Sequence, residues 1–506
     1  MPPLQRPNRL RILDELGAPR TLLDTPDQFA SLPGHGRRLC LLGLGPDPAA
    51  ARAALPVSWR DMPADVVESP DYLHQMPPAW HSALPPAWHY IPAAEADPHA
   101  PLQVYLPAAR LFPSFWGPLL ARISLARQPA ARSHAPTLGI PGGEGDLLQR
   151  ELEDAARRLG FDVAPQAASA RALLEHGAPA LFLSINGRGL DPWGEDFHLL
   201  RAAGVPVALW CVDTPWHVLA RCKAAWWKQA ALFVTDHSFM DDLRRQGATT
   251  VEHLPLAGWP EGFVPRAEPD PALAGSGLFV GRTAFPNREG FFAGQRLPPD
   301  LLDAALAMLE AGERPDWWWW IRRLEISERW PGPAMRRAGL GAAEAGVAWR
   351  VRCLRAVLED DTAGPLTVAG DAGWASLLPG SPRLRLRPPV DYYGPLASLY
   401  RDASYVLNAT NLLLPAGCTQ RHFDVWLAGG LLITDVHPGL SIFPEELVRP
   451  IGFRSAREIP GLVDRLRAGS LETAALCRAW QGEILAKHCY VHRLETVLAR
   501  SSPVES

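Results

Sequence analysis

The residues best placed to do chemistry lie between Tyr400 and Pro438. An apolar run, Tyr405-Val406-Leu407, has the length and composition of a buried strand, and it breaks into the polar loop Asn408-Ala409-Thr410-Asn411. A Pro415-Ala416-Gly417 turn follows, then a helix-compatible stretch from Thr419 to Leu427, a Gly429-Gly430 stop, and a second strand over Leu431 to Thr434. In open α/β sheets the loops at the carboxyl ends of strands line the ligand crevice, and helix N-termini there attract phosphate. Gly417 to Arg421 occupies such a place. A second glycine pair, Gly43-x-Gly45 after the apolar Leu39 to Leu42, carries two of the three glycines of a dinucleotide fingerprint, and a tight βα turn is its plainer reading.

The elements around these residues alternate regularly from about residue 135. Apolar strands are expected at Thr137 to Ile140, Ala180 to Ile185, Val205 to Val212, Ala231 to Val234 and Val251 to Leu256, separated by helix-length segments, which is the signature of βαβ units and a parallel sheet. The segment Gly258 to Ser276 holds four prolines and reads as an interdomain linker. A second α/β domain opens with Gly277 to Arg282, resumes at Leu366 to Gly370 and Leu384 to Leu386, and is expected to end near Ile433. Between them lies a helical block with Trp317 to Trp320 in a row. Four consecutive indoles cannot share one helical face, so they are either buried between helices or form an acceptor- or partner-contacting patch.

The expected fold is therefore α/β, with two Rossmann-like doubly wound domains facing a cleft and an N-terminal α/β accessory region. The predicted boundaries are 1–130 for the accessory region, 131–262 for the first domain, 263–276 for the linker and 277–478 for the second domain with its helical insert at 298–359. A C-terminal helix in 479–506 is placed to cross back to the first domain. The proline-rich segments of residues 1–130 suggest long loops there, and the sequence assigns that region no chemistry.

At 506 residues the chain exceeds one ordinary core, and a prior of two to four domains of roughly 150 residues follows. A hydrophobic content of 47% with 21% charged residues is that of a globular protein, and a net charge of -4 offers no basic field for nucleic acid. Seven cysteines without a C-x-x-C pair suit a reducing compartment. The N-terminus lacks a signal-peptide apolar segment, and no run reaches the roughly 18 to 20 apolar residues that span a bilayer, so a cytoplasmic protein without a transmembrane segment is expected, with peripheral membrane contact left open.

Five segments carry a family resemblance: LFVGR at 278–282, LTVAGDAGW at 366–374, YRDASYVLNAT at 400–410, GCTQRHFDVWLAGGLLITDVHPGL at 417–440 and HCYVHRLETVL at 488–498. In the first half, ALWCVDTPWH at 208–217 and ALFVTDHSF at 231–239 look like the companion domain. Over about 135–500 the chain resembles the CgeB-like bacterial glycosyltransferases, which have the GT-B fold and a glycosyl transferase family 1-like C-terminal domain. The resemblance implies transfer of a sugar from a nucleotide-diphosphate donor to a glycan, lipid or protein acceptor. It assigns Gly417, Thr419, Gln420 and Arg421 to the donor diphosphate, with Arg282 as a second phosphate contact or else a surface ion pair. It assigns Asp424 to the donor ribose, where the family usually shows Glu, and leaves Ala416 where an acidic residue is usual. Asn408 and Gly370 line the same donor side, and Asp371 and Pro388 are candidates near the base.

An inverting transfer needs a general base from the first domain. Asp213, at the end of the strand Val207 to Val212, and His237, after Phe233-Val234-Thr235, are the candidates. Turn capping by Asp213 and a structural hydrogen bond by His237 are the plainer alternatives. Asn186 and Arg188, in the loop after Ile185, are placed on the acceptor side. No Asp-x-Asp pair occurs in the chain, so no metal and no other cofactor is expected. Two other functions compete: a nucleotide-sugar epimerase on the same fold, and a degenerate GT-B module that binds a glycan or partner without catalysis.

Overall fold

A computed structural model describes residues 9–131, 135–143, 145–165, 169–378 and 380–501. A hairpin of β1 (Arg9–Leu13) and β2 (Pro19–Leu23) opens the chain. A five-stranded sheet then combines β3 (Phe29–Leu32), β4 (Leu39–Leu42), β5 (Ala64–Val67), β6 (Trp88–Tyr90) and β7 (Leu102–Tyr105) in the order β3-β7-β4-β5-β6, antiparallel only at β3–β7. Its apolar residues form a cluster of their own. The Gly43-x-Gly45 turn follows β4 with φ of +78° and +64°, values that glycine adopts without the Cβ penalty. Glu68 accepts the Leu44 amide at 2.9 Å, and a Cβ on Gly45 would lie 2.9 Å from the Tyr105 ring. The loop is filled by its own module, so the tight-turn reading describes it.

The first Rossmann-like sheet holds β8 (Thr137–Gly139), β9 (Asp162–Val163), β10 (Leu181–Ile185), β11 (Val207–Cys211), β12 (Ala231–Val234) and β13 (Thr250–His253), all parallel, in the order β13-β12-β11-β10-β8-β9. Every residue of β10 and β11 is buried, as expected of strands covered on both faces. The second sheet holds β14 (Gly277–Val280), β15 (Leu366–Ala369), β16 (Leu384–Arg387), β17 (Tyr405–Asn408), β18 (Leu432–Asp435) and β19 (Gly452–Phe453), also parallel. Its order, β16-β15-β14-β17-β18-β19, is that of the doubly wound nucleotide-binding sheet, with the winding direction reversing between β14 and β17. The sheet therefore does not end near Ile433: β19, two residues long, carries too short an apolar run to announce itself.

The two sheets meet through the loops at their carboxyl ends, and one continuous apolar cluster runs from Trp216 and Trp227 through Trp317, Trp320 and Trp349 to Ile433 and Trp480. The tryptophan run forms the helix Trp317–Arg323, capped by Asp316. Trp317, Trp319 and Trp320 are buried, while Trp318 donates to Ser238 Oγ at 2.9 Å across the domains. Burial accounts for three of the four, and Trp318 is half-buried against the first domain. The proline-rich connection is pinned as well. Ser398 Oγ accepts from the amides of Arg266 and Ala267, and Asp402 from that of Asp270.

The chain crosses back once more. After the helix Ser470–Lys487, whose Trp480 stacks on Trp426 with centroids 4.8 Å apart, Gly258 donates its amide to His488 and accepts from Tyr490. The helix Tyr490–Arg500 then buries Tyr490, Leu494 and Val497 against the first domain. Residues 502–506 of the predicted C-terminal segment lie outside the described residues.

Candidate active site

Arg421 begins the helix Arg421–Leu427 and reaches across the point where the second sheet reverses direction. Its Nε donates to Asn408 Oδ1 at 2.8 Å and its Nη1 to the Val280 carbonyl at 2.6 Å, so the exits of β17 and β14 both hold it. Asn408 is oriented in turn by donating to Thr410 and Thr434. A second guanidinium, Arg350 of the helix Ala334–Glu359, donates to the Arg282 carbonyl at 2.7 Å and to the Gly346 carbonyl at 3.1 Å. Burial, followed by the nearby Arg421 charge, lowers the Arg350 pKa to about 10.

Among the described residues neither Arg350 nor Arg421 is ion-paired. Asp371, the nearest acid in effect on Arg350, spends its oxygens on Thr283, Ala284 and Gly373. The Arg282 side chain is exposed, and no ion pair joins it among the described residues, so the surface-ion-pair alternative does not describe it. Two positive groups held by carbonyl oxygens and without ion pairs among the described residues have the chemistry to attract an anion.

The other donor-side candidates divide. Thr419 precedes the helix instead of lying within it; its amide donates to His422 Nδ1 at 2.9 Å and its hydroxyl to Asn408 Oδ1 at 3.3 Å. That amide is therefore already used. Gly370 lets the loop after β15 approach the loop after β14, since a Cβ there would lie 2.1 Å from the Gly281 carbonyl. Gly417 forms an antiparallel bridge with Asp236 across the domains. The missing side chain admits protein backbone at Gly370 and the Leu414 side chain at Gly417.

Gln420 and Asp424, which the resemblance assigns to the donor diphosphate and ribose, are enclosed by protein. Asp424 is 1% exposed. It accepts from Tyr392 Oη at 2.9 Å and from Gln420 Nε2 at 3.1 Å, and burial raises its carboxyl well above the usual range. Gln420 also donates to the Ala257 carbonyl at 2.7 Å and accepts from Tyr490 Oη at 2.9 Å. Both side chains are absorbed by the contact between domains, because the helix that carries them packs directly on the first domain. Ala416 lies in the same contact, donating its amide to Asp236 Oδ2 at 2.9 Å.

On the first domain, the structure brings Asn186 and Asp213 together. Asn186, at φ +52°, donates Nδ2 to Asp213 Oδ2 at 2.8 Å and accepts the amides of Val212 and Asp213 on its own Oδ1. Asp213 keeps exposed surface while the surrounding protein desolvates it enough to raise its pKa, with the Asn186 bond and the Arg188 charge opposing. Arg188 itself turns to Asp146 at 3.4 Å. His237 stands apart from this pair: its ring lies 5.2 Å from that of His253, and the carboxylate of the adjacent Asp236 goes to the amides of Ser238 and Ala416.

Several residues escaped the sequence reading. Asp435, at the end of β18, is ion-paired with Arg314 and accepts from Thr410 and Trp349. His437, two residues on, is buried, with its pKa lowered to about 4 by desolvation. Polar residues ending a buried strand, Thr434-Asp435 and Asn408, are the signal that pointed there. Arg350 gave none, being one of many arginines in a long helix. A recess of about 1030 Å³ lies elsewhere, between the helix Pro113–Arg127 and the segment Trp193 to Leu199, and holds none of the candidate residues.

Similarity to known structures extends over most of the chain, and similarity to a family model falls on its C-terminal part. No curated protein matches. Among solved structures, the chain is similar to Anabaena HepE in complex with UDP-glucose, with 10% identity, a TM-score of 0.43, and coverage of 72% of this chain and 100% of that one. It is also similar to sucrose-phosphate synthase from Thermosynechococcus elongatus, with 13% identity, a TM-score of 0.38, and coverage of 92% and 98%. A glycosyltransferase from Rickettsia africae gives 8% identity and a TM-score of 0.41 over 73% of this chain and 98% of its own. Residues 350–499, the span that holds Arg350, Asn408, Arg421 and Asp424, match the family model described as glycosyl transferase-like.

Proposed function

We propose that the chain is a glycosyltransferase that moves a sugar from a nucleotide-diphosphate donor to a hydroxyl of a glycan, lipid or protein acceptor. The observation that carries this is the pair Arg350 and Arg421, neither in an ion pair with a described carboxylate, at the reversal point of a doubly wound sheet. A diphosphate leaving group gains negative charge as the glycosidic bond breaks, and preorganised guanidinium donors stabilise that charge. Arg282, exposed at the exit of β14, adds a third positive group. Neutralisation by arginine leaves no role that requires a metal in this reading.

Asp213 is the base on the acceptor side. Desolvation moves its carboxyl toward the working pH, which improves a general base, and Asn186 fixes its orientation. Attack on the face opposite the diphosphate makes the reaction inverting. The finer parts of the reading are a CgeB-like bacterial enzyme, a hexosyl donor and a cytoplasmic location; no helix among the described residues is long and apolar enough to cross a membrane.

A second reading has its own observation. Asp424 and Gln420 are committed to the domain contact, which favours a GT-B module that binds without transferring. Nucleotide release from UDP-, GDP- and dTDP-sugars separates the two. Release that disappears in Arg421→Ala supports transfer. Binding of a nucleotide sugar without release, in the presence of an acceptor panel, supports the binding module.

A further inference from the structure

Three tyrosines and two carboxyl groups meet where the two Rossmann-like domains touch. From the first domain come Glu151, in the first turn of the helix Gln149–Arg158, the backbone of Asp146 and Ala257, and Tyr490 of the returning C-terminal helix. From the second come Tyr392 and Tyr393, after β16, with Gln420 and Asp424. Tyr393 Oη lies 2.8 Å from Glu151 Oε2 and 3.0 Å from the Asp146 carbonyl, while Tyr392 Oη donates to Asp424. Glu151 is 0% exposed and its Oε1 has no partner.

The hydrogen-bond inventory decides the protonation state. The Tyr393 hydroxyl has one proton and faces two acceptors, so both contacts are satisfied only when Glu151 is itself protonated and donates back. The groups facing this pair are Arg150, whose guanidinium lies 4.5 Å over the Tyr393 ring, Asp424, Tyr392 and Tyr490. Arg158, which lines the same small cavity as Glu151, is ion-paired with Glu261, and Asp424 adds a second acid to the same contact. We propose that Glu151 and Tyr393 form a proton-operated latch between the two domains, with Asp424, bonded to Tyr392 on the second domain's side, as a second acid buried by the contact, and that the domains are released as the pH rises.

The direction follows from linkage. Burial raises both carboxyls, Glu151 to about 6 and Asp424 well above its usual range. Separation of the domains hydrates them and returns them to ordinary carboxylic values near 4. The contact is thus fully favourable below those ordinary values and weakens as the pH climbs through the raised ones. This inference concerns domain motion and stands whether or not the chain transfers sugar.

Small-angle scattering of the full chain, without donor, tests it between about pH 5 and about pH 8. The radius of gyration of the wild type is expected to grow across that interval. The double variant Glu151→Gln, Asp424→Asn, which keeps neutral groups in place, is expected to stay compact throughout. Tyr393→Phe, which loses one bond of the latch, is expected to open about one pH unit lower. Circular dichroism identifies any variant that fails to fold, and the remaining variants carry the test. A wild-type radius that is the same at both ends of the range, or a double variant that expands like the wild type, overturns the latch.

Discussion

Asn186 donates its side-chain amide to Asp213 Oδ2 at 2.8 Å while its own carbonyl oxygen accepts the Val212 and Asp213 amides. The asparagine thus ties the carboxylate to the backbone that carries it, across the exits of β10 and β11. If Asp213 is the base, Asp213→Asn lowers turnover by about a hundred- to ten-thousand-fold and leaves donor affinity unchanged by calorimetry. Activity of the wild type rises with pH through the raised Asp213 pKa. The Asn186 bond favours the charged carboxylate, so Asn186→Ala moves the acidic limb of the rate profile upward, by less than about one unit. A limb that stays put in Asn186→Ala argues against this pairing as a positioning device.

The Arg350 and Arg421 pair yields a different signature. Two neighbouring guanidiniums without an ion-pair partner raise the free energy of the empty site, and a bound diphosphate relieves that repulsion. Removing either arginine is expected to weaken nucleoside-diphosphate binding by about ten- to a hundredfold, the range for hydrogen bonds to charged groups. Arg350→Met is expected to leave the thermal midpoint of the empty protein equal or higher. The rise in that midpoint on adding UDP, or whichever nucleotide is released, is the readout, since ligand binding stabilises by mass action. An undiminished rise in Arg350→Met removes Arg350 from the site.

How much of this was legible in the sequence follows the range of each interaction. Strands such as Leu181–Ile185 and Val207–Cys211 announced themselves as short, continuously apolar runs, and the β17-loop-helix-β18 unit placed Arg421 at a strand exit where it indeed lies. Asp424 looked like a surface residue one helical turn from Arg421, because nothing local signals that Tyr392, 32 residues earlier, and the C-terminal helix would cover it. Gln420 is met by Tyr490 across 70 residues. The linker reading rested on proline content, which reports the absence of helix and strand but not the three side-chain bonds that pin the segment to Ser398 and Asp402.

Asp424 now carries a prediction about stability. Burial pushes its carboxyl well above the usual range, and below that raised value it resembles an amide more than a carboxylate. Asp424→Asn is expected to cost less than about 1 kcal/mol, because Tyr392 Oη can turn its proton and accept instead. Asp424→Ala leaves Tyr392 and Gln420 without their acceptor and is expected to cost about 1–3 kcal/mol per orphaned group. A carboxyl whose folded pKa is raised supports the fold below its unfolded value and loses that support as the pH rises. Urea midpoints of the wild type should therefore fall from acid toward neutral pH more steeply than those of Asp424→Asn. Parallel curves for the two proteins would place Asp424 in water.

Asp435 titrates in the opposite sense. Burial alone would raise its carboxyl, but the Arg314 charge, the neighbouring His437 and the Thr410 bonds outweigh it and hold the group below the usual aspartate range. Its contribution to stability is therefore present above the unfolded value, near 4, and is lost only as the pH falls through the depressed folded one. Breaking the pair from one side strands a buried charge. Arg314→Ala and Asp435→Ala are each expected to cost about 3–5 kcal/mol in urea unfolding at neutral pH. Asp435→Ala also frees the Thr410 amide and the Trp349 indole, which the carboxylate holds at 2.9 and 3.1 Å, so it is the more costly of the two. The double variant is expected to cost less than the sum of the singles, since the second substitution removes the charge that the first left unpaired. Strict additivity would mean that Arg314 and Asp435 act independently, and that the Thr410 and Trp349 bonds hold the end of β18 without the ion pair.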